Sequence, residues 1–310
     1  MDVPQLRTIL HVAELGSLSK AADRLRIAQP ALSRQVRLLE EELGIRLFDR
    51  HGRGMVVTEA GKEVLRHAQR IMQELDEIRA TVADEDAPLR GHVSIGMPPT
   101  VSDILSVPLV SAFQARHPEA KLRIVSAYSG YLLDWLHRGE LDVAIMYETP
   151  PVRSLRMEPL LEEVLFLIGP PGSSLTPDRA VSFAEVAALK LFLPSLGHGL
   201  RTILEQSAQI AGCRLEVPVE ADSYSTLKNL VESGHGYTIL PLAPIHRDVL
   251  AGRLVYAPIE APTPSRRLML TYPTDRATPR LARFAGNVMT ATASDLVRSG
   301  VWSGRLLAEG

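Results

Sequence analysis

The sequence runs to 310 residues, with 45% hydrophobic and 23% charged side chains, a single cysteine and a formal charge of −2 at pH 7. That length holds two or three domains with sizeable cores, and the lone Cys213, read as a small buried hydrophobe, excludes an internal disulfide and a cysteine-rich zinc site. No apolar run is long enough to span a bilayer, and the opening MDVPQLRTIL lacks a basic and then apolar leader, so a cytoplasmic protein without membrane contact is expected.

Pro4 opens a first helix, in which Leu6, Ile9, Leu10 and Ala13 recur at helical spacing before Gly16 ends it. Residues 16–50 then read as two short helices joined by a tight turn. Ser17 or Ser19 caps the first, whose Ala21, Ala22 and Leu25 share a side. Pro30 starts the second, where a missing N–H costs nothing, and Leu32, Val36, Leu39 and Leu43 give it a buried stripe. Gln29, Pro30, Ser33, Arg34 and Arg37 gather on its other face. Such a face suits the DNA major groove, where Arg reads guanine and Gln reads adenine.

By pattern alone the pair is equally an ordinary amphipathic hairpin with a solvated side. The next dozen residues tip the balance toward DNA. Residues 47–50 and 55–58 read as two short strands around His51-Gly52-Arg53-Gly54, a hairpin with an arginine at its tip. Helix pair plus basic wing is a winged helix-turn-helix, in which Arg37, Arg50 and Arg53 serve phosphates or the minor groove. Up to Thr58 there are nine Lys/Arg against seven Asp/Glu, a local charge of only +2. One copy therefore binds weakly, and useful affinity needs several copies on one site.

Thr58 is the expected cap of a long helix reaching about residue 86. Along it Val64, Ala68, Ile71, Leu75, Ile78 and Val82 alternate four and three apart, the rhythm of a coiled coil. At about 1.5 Å per residue this rod spans roughly 40 Å, enough to hold two DNA-binding units on successive major grooves. Residues 84–90, DEDAPLR, are polar and proline-broken and mark a hinge.

Beyond Gly91 strands and helices alternate. Strands are expected at 92–96, 122–127, 141–146, 164–168, 191–193, 215–221, 237–240 and 267–272, and helices at 100–116, 130–138, 183–189, 200–211, 225–233 and 279–298. The rhythm argues for parallel sheets with helices on their faces. The last strand and helix return to the first of two α/β subdomains, which leaves a cleft at the strand ends. Turns that open helices should line it: Pro99, Thr100, Val101 and Ser102; Ser129; Ser195, His198 and Arg201; Tyr224. Helix N-termini favour anions. A small carboxylate or similar anion held by Thr100, Ser102, Ser129 and Ser195, with His198 and Arg201 as counter-charges, is the expected ligand.

Enzyme patterns do not assemble. Ser17-Leu18-Ser19-Lys20 and Ser225-Thr226-Leu227-Lys228 fit Ser-x-x-Lys without companion motifs, the Gly-His-Gly triplets complete no phosphate loop, and the histidines include no His-Glu-x-x-His.

The run Ala21-Ala22, Ala28-Gln29-Pro30-Ala31-Leu32-Ser33, Leu38-Leu39-Glu40, Leu43-Gly44, Leu47-Phe48-Asp49-Arg50 and Thr58-Glu59-Ala60-Gly61 resembles the amino-terminal signature of LysR-type transcriptional regulators. Ala28 departs from the Ser or Thr of many members, a departure shared with the nitrogen assimilation control subgroup, to which Ile27-Ala28-Gln29-Pro30 and Val93-Ser94-Ile95-Gly96 are also similar. The resemblance implies a multidomain α+β protein. Residues 1–58 form a winged helix-turn-helix domain and 59–90 a dimerisation helix and hinge. Residues 91–310 form an effector-binding domain of periplasmic-binding-protein-like fold, with subdomain I at about 91–161 and 266–303 and subdomain II at about 162–265. It also implies that the turns named above line the effector pocket, that the enzyme classes do not apply and that no cofactor is needed. The implied partners are double-stranded promoter DNA carrying an inverted repeat, further copies of the chain as dimer and tetramer, a small-molecule effector, and RNA polymerase.

Overall fold

A computed structural model describes residues 1–51, 54–81 and 87–307. Arg53, Val82 and residues 84–86 of the expected hinge lie outside the described residues. The chain divides into two compact units, Met1–His92 with Glu119–Lys121, and Val93–Pro118 with Leu122–Gly310.

In the first unit, α1 (Val3–Leu15) starts from a reciprocal cap: Gln5 donates its backbone N–H to the Asp2 carboxylate at 2.8 Å, and Asp2 donates its own to the Gln5 side chain at 2.9 Å. Gly16, at φ 59°, ends it in the left-handed region. Of the two serines expected as caps, Ser17 takes the role for α2 (Leu18–Leu25), accepting from the Lys20 N–H at 3.4 Å. Arg26 closes α2 at φ 55°, and the Ile27 N–H returns to the Ala22 carbonyl at 3.1 Å, which makes the tight turn into α3 (Gln29–Leu43). Leu32, Val36 and Leu39 of α3 are buried against Leu6, Ile9, Val12, Ala21 and Ala22.

The wing is β1 (Phe48–His51) paired antiparallel with β2 (Gly54–Val57). Glu40 ties it to α3, because its carboxylate accepts from the backbone N–H of Leu47 at 2.7 Å and of Phe48 at 3.2 Å. A second tie runs from the Met55 N–H to the Gly16 carbonyl at 2.8 Å. Helix α4 (Glu59–Thr81) opens on Thr58, whose hydroxyl accepts from the Gly61 N–H at 2.9 Å and donates to the Arg46 carbonyl at 2.7 Å. A Cβ on Gly61 would run into the Leu47 carbonyl oxygen, so only glycine lets α4 sit this close to the wing.

The apolar stripe of α4 is divided. Ala68 is buried, together with Leu65, in the core of the same unit, and Val64 packs against that core. These two positions, expected to pair with a second copy, are spent within the chain. Ile71 and Ile78, further along, are 39% and 63% exposed.

The second unit begins with β3 (Gly91–Met97), α5 (Pro99–Arg116), β4 (Ala120–Ser126), α6 (Ser129–Arg138), β5 (Val143–Tyr147) and β6 (Leu155–Val164). There follow β7 (Phe166–Gly169), β8 (Val181–Ser182), α7 (Phe183–Ala187), β9 (Phe192–Leu193), α8 (Gly199–Ile210), β10 (Val219–Glu220), α9 (Tyr224–Glu232) and β11 (Thr238–Leu240). A short 3-10 turn leads to α10 (His246–Leu250) and β12 (Val255–Glu260), and the chain returns through β13 (Ser265–Pro273), α11 (Arg280–Arg298) and β14 (Gly304–Leu306).

One sheet has the order β14-β6-β13-β5-β3-β4, another β11-β7-β12-β8, with β9 and β10 paired separately. The expectation of parallel sheets is corrected in part: β3 and β5 are parallel, but β13 runs antiparallel to both β5 and β6. Strand β6 is not among the expected strands, since Pro159 and three glutamates interrupt its apolar pattern. A register shift between Leu268 and Met269 of β13 absorbs the irregularity at Pro159. No helix among the described residues is long and apolar enough to cross a membrane.

Replacing Glu40 with alanine strands two backbone donors beside the buried Leu47 and Phe48. The expected cost is roughly 1–3 kcal/mol, read by hydrogen exchange as faster opening at those two amides in the full chain. Unchanged exchange would show that the carboxylate does not hold the wing to α3.

Candidate functional site

Two surfaces carry the predicted residues. On α3, the fourfold spacing of Pro30, Arg34 and Leu38, with Gln29 and Arg37 beside them, leaves one face exposed while Leu32, Val36 and Leu39 fill the core on the other. Pro30 stands at the second helical position, where it removes no helical hydrogen bond. Ser33 is half-buried, and its hydroxyl accepts from Arg50 Nη2 at 3.2 Å, so the wing's first strand and the helix converge on one basic patch. Arg37 lies 3.5 Å from Glu41 one turn further on. The acidic residues sit at the far end of α3, where Glu42 meets the amino-terminal ammonium at 2.5 Å. Ser17 is committed to capping α2, whereas Ser19 is exposed on it.

The second surface lies between the two sheets of the second unit. Thr100, at the start of α5, is buried and shares a 2.9 Å hydrogen bond with the Tyr147 hydroxyl. The backbone N–H of the same tyrosine donates to the Ser129 hydroxyl at 3.1 Å. Tyr147 therefore joins two of the predicted turns. From the other lobe, His198 caps α8 by accepting the Leu200 N–H on Nδ1 at 3.1 Å, which leaves Nε2 as the protonated nitrogen of the neutral ring. Its ring meets Tyr128 edge-on at 4.8 Å between centroids, a contact across the two lobes.

The remaining predicted residues support these. Pro99 opens α5 and Val101 is buried behind it. Ser102 pairs with the Ser106 hydroxyl at 3.1 Å. The Ser195 hydroxyl and backbone both donate to Asp222, at 2.7 and 2.9 Å, and these bonds hold the Asp222 carboxyl below its ordinary range. Tyr224 packs on the core of its own lobe.

Arg201 does not join this group. Its buried guanidinium is spent on Glu205 at 2.6 Å, Glu220 at 3.2 Å and the Pro194 carbonyl at 3.0 Å. The cation beside these turns is Arg266, stacked on Tyr147, a residue sequence reasoning missed. Its carbon Cζ lies 3.8 Å from the centre of the Tyr147 ring, its Nε donates to Glu163 at 2.5 Å, and its Nη2 is buried without a partner among the described residues. Trp302 donates its indole N–H to the second Glu163 oxygen at 2.9 Å. The available signal was a charged residue in a strand otherwise reading Leu-Met-Leu.

A winged helix-turn-helix with an open basic face, followed by two α/β lobes whose polar helix starts meet at Tyr128 and His198, defines a ligand-responsive DNA-binding regulator. Residues 3–62 match the description "Bacterial regulatory helix-turn-helix protein, lysR family", and residues 86–292 match "LysR substrate binding domain". The chain is 34% identical to the nitrogen assimilation regulatory protein nac of Klebsiella aerogenes over 78% of each chain. It is 31% identical to the HTH-type transcriptional regulator BbuR of Bordetella bronchiseptica, over 98% of this chain and 94% of that one. Its fold is similar to that of CbnR, a LysR family transcriptional regulator, with a TM-score of 0.63 at 22% identity, covering 94% of this chain and 99% of that one. A mutant of OxyR from Corynebacterium glutamicum gives a TM-score of 0.71 at 24% identity, covering 97% of this chain and 96% of that one. The chain belongs to the LysR family of transcriptional regulators. It is a DNA-binding regulator whose carboxy-terminal domain responds to a small molecule.

Burial holds the His198 imidazole below its ordinary 6.5; the Asp222 charge opposes the shift and Arg266 adds to it. The ring is then neutral at pH 7. Because the unfolded chain protonates first, its contribution to stability is complete above about 6.5 and is lost as the pH falls below it. An NMR titration of the free protein should place the His198 midpoint below 6.5; a higher midpoint would mean that Asp222 outweighs burial.

Proposed function

We propose that the chain binds an inverted repeat in promoter DNA as a dimer, and as a pair of dimers, and that a small anionic metabolite in the cleft alters that binding or the bend it imposes. Arg34, Gln29 and Ser33 touch base edges, with Pro30 packed on the bases; Arg37, Arg50 and Arg53 serve phosphates or the minor groove, and Ser17 and Ser19 lie at the backbone. The exposed face of α3, with Arg50 drawn onto Ser33, is the observation that carries this reading.

Pairing runs along Ile71, Leu75, Ile78 and Val82, an assignment supported by the exposure of Ile71 and Ile78. Val64 and Ala68 hold the rod to its own winged domain instead. The modest local charge makes two or more copies necessary, since each phosphate contact adds little alone. Pro99, Thr100, Val101, Ser102, Ser129, Ser195, His198 and Tyr224 form or support the effector cleft. A ligand that bridges its two walls shifts the population of closed lobes, and the assembly passes that shift to the spacing of its winged units. Such a regulator works in the bacterial cytoplasm, where its promoters and RNA polymerase are.

Fluorescence anisotropy on a footprinted operator and on a scrambled duplex tests the assignment. Arg34→Ala should cost roughly 1–3 kcal/mol on the operator and little on the scrambled duplex. Arg53→Ala should weaken both and reduce the salt slope by about one. Equal losses for Arg34→Ala on the two duplexes would refute its role as a base reader.

A further inference from the structure

Arg266 is a buried cation whose Nη2 is a fully buried donor group left unspent. Only 7% of the residue is exposed, its Nε is committed to Glu163, and its Nη2 finds no acceptor among the described residues. Buried guanidinium donors are ordinarily satisfied, because leaving one unpaired costs the full desolvation of that group. The position is also held from behind. Glu163 stands directly opposite Arg266 across β6 and β13, and its second oxygen is fixed by Trp302, which is 1% exposed. The three side chains form a rigid mount for a donor aimed at an acceptor that the described residues do not supply.

Other donors gather nearby. The Thr100 and Tyr147 hydroxyls share one hydrogen bond and so leave a second O–H between them, with the Tyr147 ring lying beneath Arg266. His198 presents Nε2–H from the opposite lobe. Each of these groups offers a hydrogen, so the complementary ligand brings acceptor oxygens. Charge narrows the class further: Arg266 is the one cation among these groups, Glu163 offsets it only in part through Nε, and His198 is neutral at pH 7. A dianion would find its second charge uncompensated.

Resting on the cleft assigned above as the effector site, we infer that Arg266 is the effector-recognition residue, its Nη2 donating to the carboxylate of a small monocarboxylate whose other oxygen meets the Thr100–Tyr147 hydroxyl pair. Glu163 and Trp302 are positioning residues that fix the guanidinium plane. His198 contacts the far side of the ligand and so links its arrival to the opposite lobe.

The two tryptophans, Trp135 and Trp302, give two indole N–H signals, and of these Trp302 is the one bonded to Glu163. Heteronuclear NMR of the full chain, titrated with acetate, acetamide and succinate, therefore reports the site directly. Acetate is expected to move the Trp302 and His198 signals saturably and leave Trp135 still. Acetamide should bind at least tenfold more weakly, and succinate no more tightly than acetate. Because Arg266→Met alone leaves Glu163 buried and unpaired, the test variants are Arg266→Lys, which keeps the charge but not the fork, and the double variant Glu163→Gln with Arg266→Met. Both should lose at least tenfold in acetate affinity. An equal response to acetamide, retained acetate binding in the double variant, or no saturable shift with acetate would each overturn the inference. The cleft assignment is read separately, from whether neutral metabolites move His198 and whether Thr100→Val removes that response; it survives if they do.

Discussion

Glu163 and Arg266 face one another on β6 and β13 with side chains only 2% and 5% exposed, and their pairing constrains the whole effector-binding half. Either charge left alone out of water would cost several kcal/mol, whereas the pair, with Trp302 on the remaining carboxylate oxygen, is tolerated. A slip of one residue would turn Glu163 to the opposite face of the sheet and strand both charges. The pair thereby sets the register of two of the longest strands in the molecule. Those strands carry the chain between its two sheets: β6 runs into β7 through Leu165, whose N–H reaches the Pro264 carbonyl at 3.0 Å, and β12 returns into β13. The walls of the cleft are built outward from this crossing.

The DNA-binding half relies on backbone donors rather than on a buried ion pair. Glu40 takes two N–H groups at the start of the wing, Thr58 clasps the turn into α4, and the Met55 N–H fixes the wing's second strand to the turn after α1. Each tie is modest by itself. Together they hold Arg50 against Ser33, so that helix and wing present one surface. A protein that must fit a duplex gains from a reading head whose parts cannot drift apart, and the core of Leu32, Val36 and Leu39 leaves α3 a single way to sit.

The winged half was legible almost residue by residue, because its helices are amphipathic, opened by a polar cap or an early proline, and closed by glycine or a tight turn. The cleft was legible only as a set of turns. Helix starts at Thr100, Ser129 and His198 announce themselves through local chemistry, whereas Tyr147 and Arg266 reach the site through sheet order, which no local pattern records. Arg201 misled because a helix-start arginine beside glycines reads as free, while Glu205 and Glu220 claim it in the fold. Strand β6 escaped for a related reason: Pro159 and its glutamates look like a loop until β13 pairs with them across a register shift. Ala68 fitted the pairing rhythm of α4, yet a helix that leaves a domain must first pack on it.

The central claim, that one buried ion pair organises the effector-binding half, is tested most directly by a double-mutant cycle in urea. Both tryptophans lie in that half, so fluorescence follows its unfolding in the full chain. Glu163→Gln and Arg266→Met singly should each lose about 3–5 kcal/mol, because each strands the other charge, and the double variant should recover most of that loss. Additive losses, with the double variant weaker than either single one, would contradict the account.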